Sequence, residues 1–132
     1  MAKTILLIED EADFRLFLAT LLADNGYETR ILPEGAEVLP MLAAEPPDLV
    51  LLDFMMPGRS GLSVCKEIRG HWSAEQLPIL LVTGLLQDAS GATDELEALF
   101  AEHDVPFPEG VIEKPIRPPE LLTLVAELTG DG

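Results

Sequence analysis

Basic residues are scarce in this chain of 132. Eight lysines and arginines stand against 24 acids, a formal net charge of −16. So acidic a surface repels phosphate backbones, which argues against direct DNA or RNA binding and equally disfavours anionic membrane surfaces. Cysteine is nearly absent: Cys65 is the single one, so no internal disulfide can form, as suits a reducing cytoplasm. No apolar run reaches the roughly 18 residues that mark a membrane span. The opening MAKTILLIEDE has one lysine and a short apolar run, but acids follow with no small-residue cleavage site, so no secretion signal is expected. Repeats, low-complexity tracts and domain-dividing linkers are lacking too. His71 and His103 are far apart, and neither has a partner at metal-ligand spacing.

What is present suits one domain, residues 1–132, with 48% hydrophobic residues to fill a single core. Strand-like and helix-like stretches alternate. KTILLIED (3–10), YETRIL (27–32), DLVLLD (48–53), LPILLVTG (77–84) and GVIEKP (110–115) read as strands, the second more polar and so nearer an edge. Between them, 13–26 carries Phe14, Phe17, Leu18, Leu21 and Leu22 on one helical face and stops at Asn25-Gly26. Residues 34–45 have helical spacing but enclose Pro40, which costs about 3 kcal/mol inside a regular helix. That helix is expected to be kinked, short or broken. Residues 60–70 turn Leu62, Cys65 and Ile68 inward; 91–104 align Leu96, Leu99, Phe100 and His103; 118–130 open on prolines and close on a glycine. Such alternation implies an α/β fold, a doubly wound parallel sheet of five strands with five helices on its two faces.

In open sheets of this kind, ligands bind beyond the carboxyl ends of the strands. There the first strand delivers Glu9 and Asp10, the third Asp53, the fourth Thr83 and the fifth Lys114; the second ends in Leu32-Pro33. Singly, each has an ordinary explanation: acids cap helices and form turns, a threonine can simply end a strand, and a lone lysine is usually solvated. Together they put three carboxylates and one cation at the same edge. Two like charges about 4 Å apart repel by about 4 kcal/mol near a protein surface, which one lysine does not offset. A hard divalent cation does, and Mg²⁺ takes oxygen ligands while keeping waters and room for phosphate oxygens. Asp53, on the central strand, is then a candidate nucleophile forming an acyl phosphate. Lys114 and the Thr83 hydroxyl are candidates for holding phosphoryl oxygens.

With IED at 8–10, LLDFMMPGRSG at 51–61, LLVTG at 80–84 and EKPI at 113–116, the chain resembles the receiver domain of two-component response regulators along nearly its whole length. The resemblance implies a flavodoxin-like sheet of order 2-1-3-4-5. It implies Asp53 as phosphoacceptor, Asp10 as a direct Mg²⁺ ligand with Glu9 acting through water, and the Met55 carbonyl as a further ligand. Thr83 becomes the switch hydroxyl and Lys114 the cation that pairs with the phosphoryl group. Pro115 matches a cis proline, Pro57 and Gly61 the turn after the phosphoacceptor, and Gly84 a small residue beside it.

The implied partners are a sensor histidine kinase or histidine phosphotransfer protein upstream, and a protein effector or fused output domain downstream. The domain would catalyse only its own phosphorylation and dephosphorylation, in the cytoplasm. With apolar Met55 and Leu85 flanking the site, self-dephosphorylation is expected to be slow. Val111 stands where the family often has an aromatic residue, and DVPFPEG (104–110) replaces the usual approach to the last strand, so an unusual partner or an unusual transmission route is expected. The alternatives are an interaction module that takes no phosphate and a Mg²⁺-dependent phosphatase of similar topology. The second usually needs Asp-x-Asp, whereas Asp53 is followed by Phe54 and Met55.

Overall fold

Fully apolar strands force the architecture, because a strand buried at every position needs cover on both faces. The computed structural model describes residues 2–33, 36–56, 58–84 and 92–130, with Ala92 and Thr93 given by their backbone alone. In chain order the elements are β1 (Thr4–Ile8), α1 (Ala12–Asp24), β2 (Glu28–Ile31), α2 (Val38–Ala44), β3 (Leu49–Asp53), β4 (Met55–Met56), β5 (Arg59–Ser60), α3 (Gly61–Arg69), β6 (Ile79–Thr83), α4 (Ala92–Glu102), β7 (Gly110–Glu113) and α5 (Pro118–Thr129). Five strands form one parallel sheet of order β2-β1-β3-β6-β7. This is the expected 2-1-3-4-5 order once β4 and β5, a two-residue antiparallel hairpin, are set aside. The polar strand β2 lies at the edge, as its composition predicts.

Side chains alternate along each strand, so two cores form. Leu6, Ile8, Val50, Leu52, Ile79 and Leu81 meet Val38 and Leu42 of α2, Val64, Cys65 and Ile68 of α3, and Leu96 and Phe100 of α4. Ile5, Leu7, Leu49, Leu51, Leu80, Val82 and Ile112 meet Leu18 and Leu22 of α1 and Leu121 and Val125 of α5. Among the described residues no helix is long and apolar enough to cross a membrane.

Helix ends follow local chemistry. Gly26, at φ 90°, lets the Tyr27 N–H turn back to the Leu22 carbonyl at 3.0 Å and closes α1 where Asn25-Gly26 predicts. The helix expected over 34–45 is short. It starts at Val38, which puts Pro40 in its first turn, where an N–H has no partner within the helix. His103 departs from expectation. It follows the end of α4 and is exposed, while Asp104 (φ 55°) and the bond from the Val105 N–H to the Phe100 carbonyl close the helix beneath it. In α1, Phe17 and its neighbour Leu16 face solvent, at 41% and 66% exposure, so the apolar stripe there is wider than the core needs.

Candidate active site

Parallel pairing brings the strand ends into register. Ile8 of β1 lies beside Leu52 of β3, and Asp53 beside Val82 of β6. Beyond them, the Phe54 N–H donates to the Val82 carbonyl and the Lys114 N–H to the Thr83 carbonyl, both at 2.9 Å. A cleft of about 270 Å³ opens over these ends, lined by Glu9, Asp10, Glu11, Asp53, Met55 and Lys114. It joins all but one of the site residues expected from sequence.

The exception is Thr83, which ends β6 but is fully buried and lies outside the cleft lining. Strand alternation gives the reason. Thr83 falls in step with Ile79 and Leu81 on the α2–α4 side, whereas Asp53 falls in step with Leu49 and Leu51 on the α1/α5 side.

Asp53 is 5% exposed. Its Oδ1 accepts the Met55 N–H at 3.3 Å and its Oδ2 the Lys114 ammonium at 3.5 Å. Both contacts are at the long end for hydrogen bonds, so the carboxylate is held in place while keeping lone pairs for other partners. Lys114 also stands over the Phe14 ring, 4.5 Å from its centroid, and the Lys114–Pro115 bond is cis, as the resemblance implies. The hairpin after Asp53 is anchored by the Gly61 N–H, which donates to the Phe54 carbonyl at 2.9 Å. A Cβ on Gly61 would lie 2.7 Å from the Phe54 Cα, so only glycine allows this approach. Pro57 and Leu85 lie outside the described residues.

Glu9 is the electrostatic anomaly. Its Oε1 accepts the Glu11 N–H at 2.9 Å, but its buried Oε2 has no donor. Burial foremost, and next the neighbouring Asp53 carboxyl, raise its pKa to about 7, against the lowering pull of the Glu11 N–H and the Lys114 ammonium. Neighbouring carboxylates repel, and a cation beside them would offset that repulsion and satisfy the orphaned Oε2. Among the described residues, no group of three or more His, Cys, Asp or Glu side chains is arranged to hold a metal by itself. The oxygen donors present fit a hard cation that completes its shell with backbone oxygen and water.

Sequence reasoning missed Glu11 and Phe14 here. The first-turn position of Phe14, just after the acids, was a signal, but its role depends on a residue 100 positions away. Cys65, read as a small buried hydrophobe, is fully buried, and burial pushes its thiol up to about 12.

Comparison with known proteins identifies the family and the fold. The family described as the response regulator receiver domain matches residues 5–126. The chain is 38% identical over 86 residues to the transcriptional regulatory protein RstA of Escherichia coli, covering 65% of this chain and 35% of that one. It is 40% identical over 83 residues to the response regulator MprA of Mycobacterium tuberculosis, covering 63% and 35%. It thus spans about a third of the length of these curated relatives. Among solved structures, the BeF3-activated N-terminal receiver domain of Klebsiella pneumoniae RstA superimposes with a TM-score of 0.75 at 30% identity, covering 96% of this chain and 97% of that one. With a match across nearly its whole length and the cleft at the strand ends, the chain belongs to the response regulator receiver domain family.

Proposed function

We propose that this domain accepts a phosphoryl group on Asp53 from a phosphohistidine of a sensor kinase or phosphotransfer protein, and that the modified site switches a protein-binding surface. The observation that carries this is the Lys114 ammonium 3.5 Å from the buried Asp53 carboxylate, in a cleft shared with Glu9 and Asp10. An Asp53 carboxylate oxygen forms the O–P bond as the P–N bond of the donor breaks, and the imidazole nitrogen keeps the electron pair. Lys114 leaves Asp53 Oδ2 for a phosphoryl oxygen, a charge-assisted bond of the stronger kind. Thr83 is buried beside the site, so its hydroxyl must swing toward the cleft to meet that group; this biases an equilibrium between two conformations. Asp10, Asp53 and the Met55 carbonyl would hold Mg²⁺, with Glu9 assisting through water. When bound, the ion supplies positive charge to the phosphoryl oxygens as negative charge develops on them.

In this reading the domain catalyses only its own phosphorylation and dephosphorylation, works in the cytoplasm, and is read by a protein effector or by an output domain on the same chain. RstA, a transcriptional regulatory protein, is about three times the length matched here. The test is incubation with a small phosphodonor, acetyl phosphate or phosphoramidate, followed by intact mass. Wild type gains one phosphoryl group in Mg²⁺ and none in chelator, and Asp53→Asn gains none. An unlabelled wild type would instead favour an interaction module that takes no phosphate.

A further inference from the structure

We infer that Phe14 is a positioning residue for the phosphoryl-pairing cation, holding the Lys114 ammonium on its ring face over the cleft. This rests on the reading of Asp53 as phosphoacceptor. Lys114 has a flexible four-carbon stem, is about one-third exposed, and has one ion-pair partner among the described residues, Asp53 at 3.5 Å. A lysine tied only to that carboxylate loses its anchor whenever the carboxylate is modified. An aromatic face supplies an anchor that survives. It attracts the ammonium through the ring quadrupole, carries no charge of its own, and leaves N–H donors free for phosphoryl oxygens.

The structure builds such an anchor. The Lys114 Nζ is 4.5 Å from the Phe14 centroid. Phe14 is half-buried against the α1/α5 core and stacks on Phe17 with centroids 6.1 Å apart and planes 23° apart, which holds the ring in orientation. The next residue ties this turn to the end of β1: the Arg15 side chain donates to the Glu9 carbonyl at 3.0 Å and its N–H to the Glu11 carbonyl at 2.9 Å. The ring is therefore fixed relative to the acids of the cleft. Alternation puts Lys114, two beyond Ile112, on the α1/α5 side where Phe14 stands.

The test uses the full chain with Phe14→Leu, Phe14→Tyr, and a ring-fluorinated phenylalanine at position 14 that keeps the shape but weakens the quadrupole. Phe14→Leu is expected to slow labelling by acetyl phosphate about fivefold, the worth of a partly exposed cation–π contact. Phe14→Tyr should restore the rate, and the fluorinated ring should fall between. In a Lys114→Ala background, Phe14→Leu should have no further effect. Lys3, Lys66 and Lys114 are the three lysines, so lysine-labelled NMR resolves Lys114. Its ε-methylene protons should be shifted upfield by the ring in wild type and Phe14→Tyr, and not in Phe14→Leu.

Wild-type rates in both Phe14→Leu and the fluorinated variant, or an equal slowing with Lys114 removed, would overturn the inference; if Phe14→Leu does not fold, the fluorinated variant decides. An unlabelled wild type would refute the phosphoacceptor reading instead, and the Lys114 resonance would still decide whether the ring holds the ammonium.

Discussion

A carboxyl shut in beside a second carboxyl holds its proton more tightly than one in water, and Glu9 is in that position, raised from 4.5 to about 7. The folded protein therefore binds more protons than the unfolded chain between those two values. Stability from this group is fully present below about pH 4.5 and is lost as pH rises toward 7. Chelated protein should show this decline in urea melts across that window, and Glu9→Gln should flatten it. An unchanged slope in Glu9→Gln would remove Glu9 as the cause. Gly61 makes a second residue-scale prediction. A Cβ there meets the Phe54 backbone at 2.7 Å, so Gly61→Ala should cost about 1–3 kcal/mol, the usual range for overpacking, and slow labelling at the adjacent Asp53. A melt matching wild type would show that the turn yields. Glu9, Asp10, Asp53 and Lys114 were legible in the sequence because each is a charge standing where an apolar strand ends. Phe14 was not, because a helical aromatic reads as core until the fold brings residue 114 to it.

Among the elements, the end of α3 is tied down by charge as well as by packing. Arg69, its side chain 7% exposed, donates to the Leu77 carbonyl at 2.9 Å and to Glu109, whose Oε1 also takes the Ile79 N–H at 2.8 Å. One clasp thus joins α3, the start of β6 and the segment before β7. Arg69→Ala should cost about 2 kcal/mol, as expected for losing hydrogen bonds to a charged group, measured by chemical denaturation. A loss under half that would mean solvent replaces the guanidinium. The same segment carries Phe107, whose ring meets Phe100 edge-on at 5.3 Å, with Phe54 a further 6.2 Å away across Phe100. Phe107 and Val111 both pack on the α2–α4 core. Periodicity located every long helix and all five sheet strands, whereas the hairpin β4–β5 escaped it because two-residue strands show no alternation. The facing of Thr83 escaped for a related reason: Ile79–Thr83 is buried throughout, so no polar face marks its sides.

At the scale of the whole molecule, a net charge of −16 works against compaction, since like charges draw together on folding. Salt screens that repulsion, so the melting temperature should rise from low ionic strength to physiological salt. Choline chloride should act like sodium chloride, because screening does not require a cation that fits the cleft. A rise with sodium alone would point to ion binding rather than screening. The sequence by itself determined the class of fold, because β-α alternation with fully apolar strands is stable only as a parallel sheet covered on both faces. It also determined which charges reach the carboxyl edge, because strand ends are marked by the change from apolar to polar. Tertiary structure alone decided which of those groups share a cleft, that Glu9 is buried beside Asp53 and its pKa raised, and that Lys114 rests on Phe14. Those depend on strand register and helix docking between residues distant in the chain, and local composition carries no record of either.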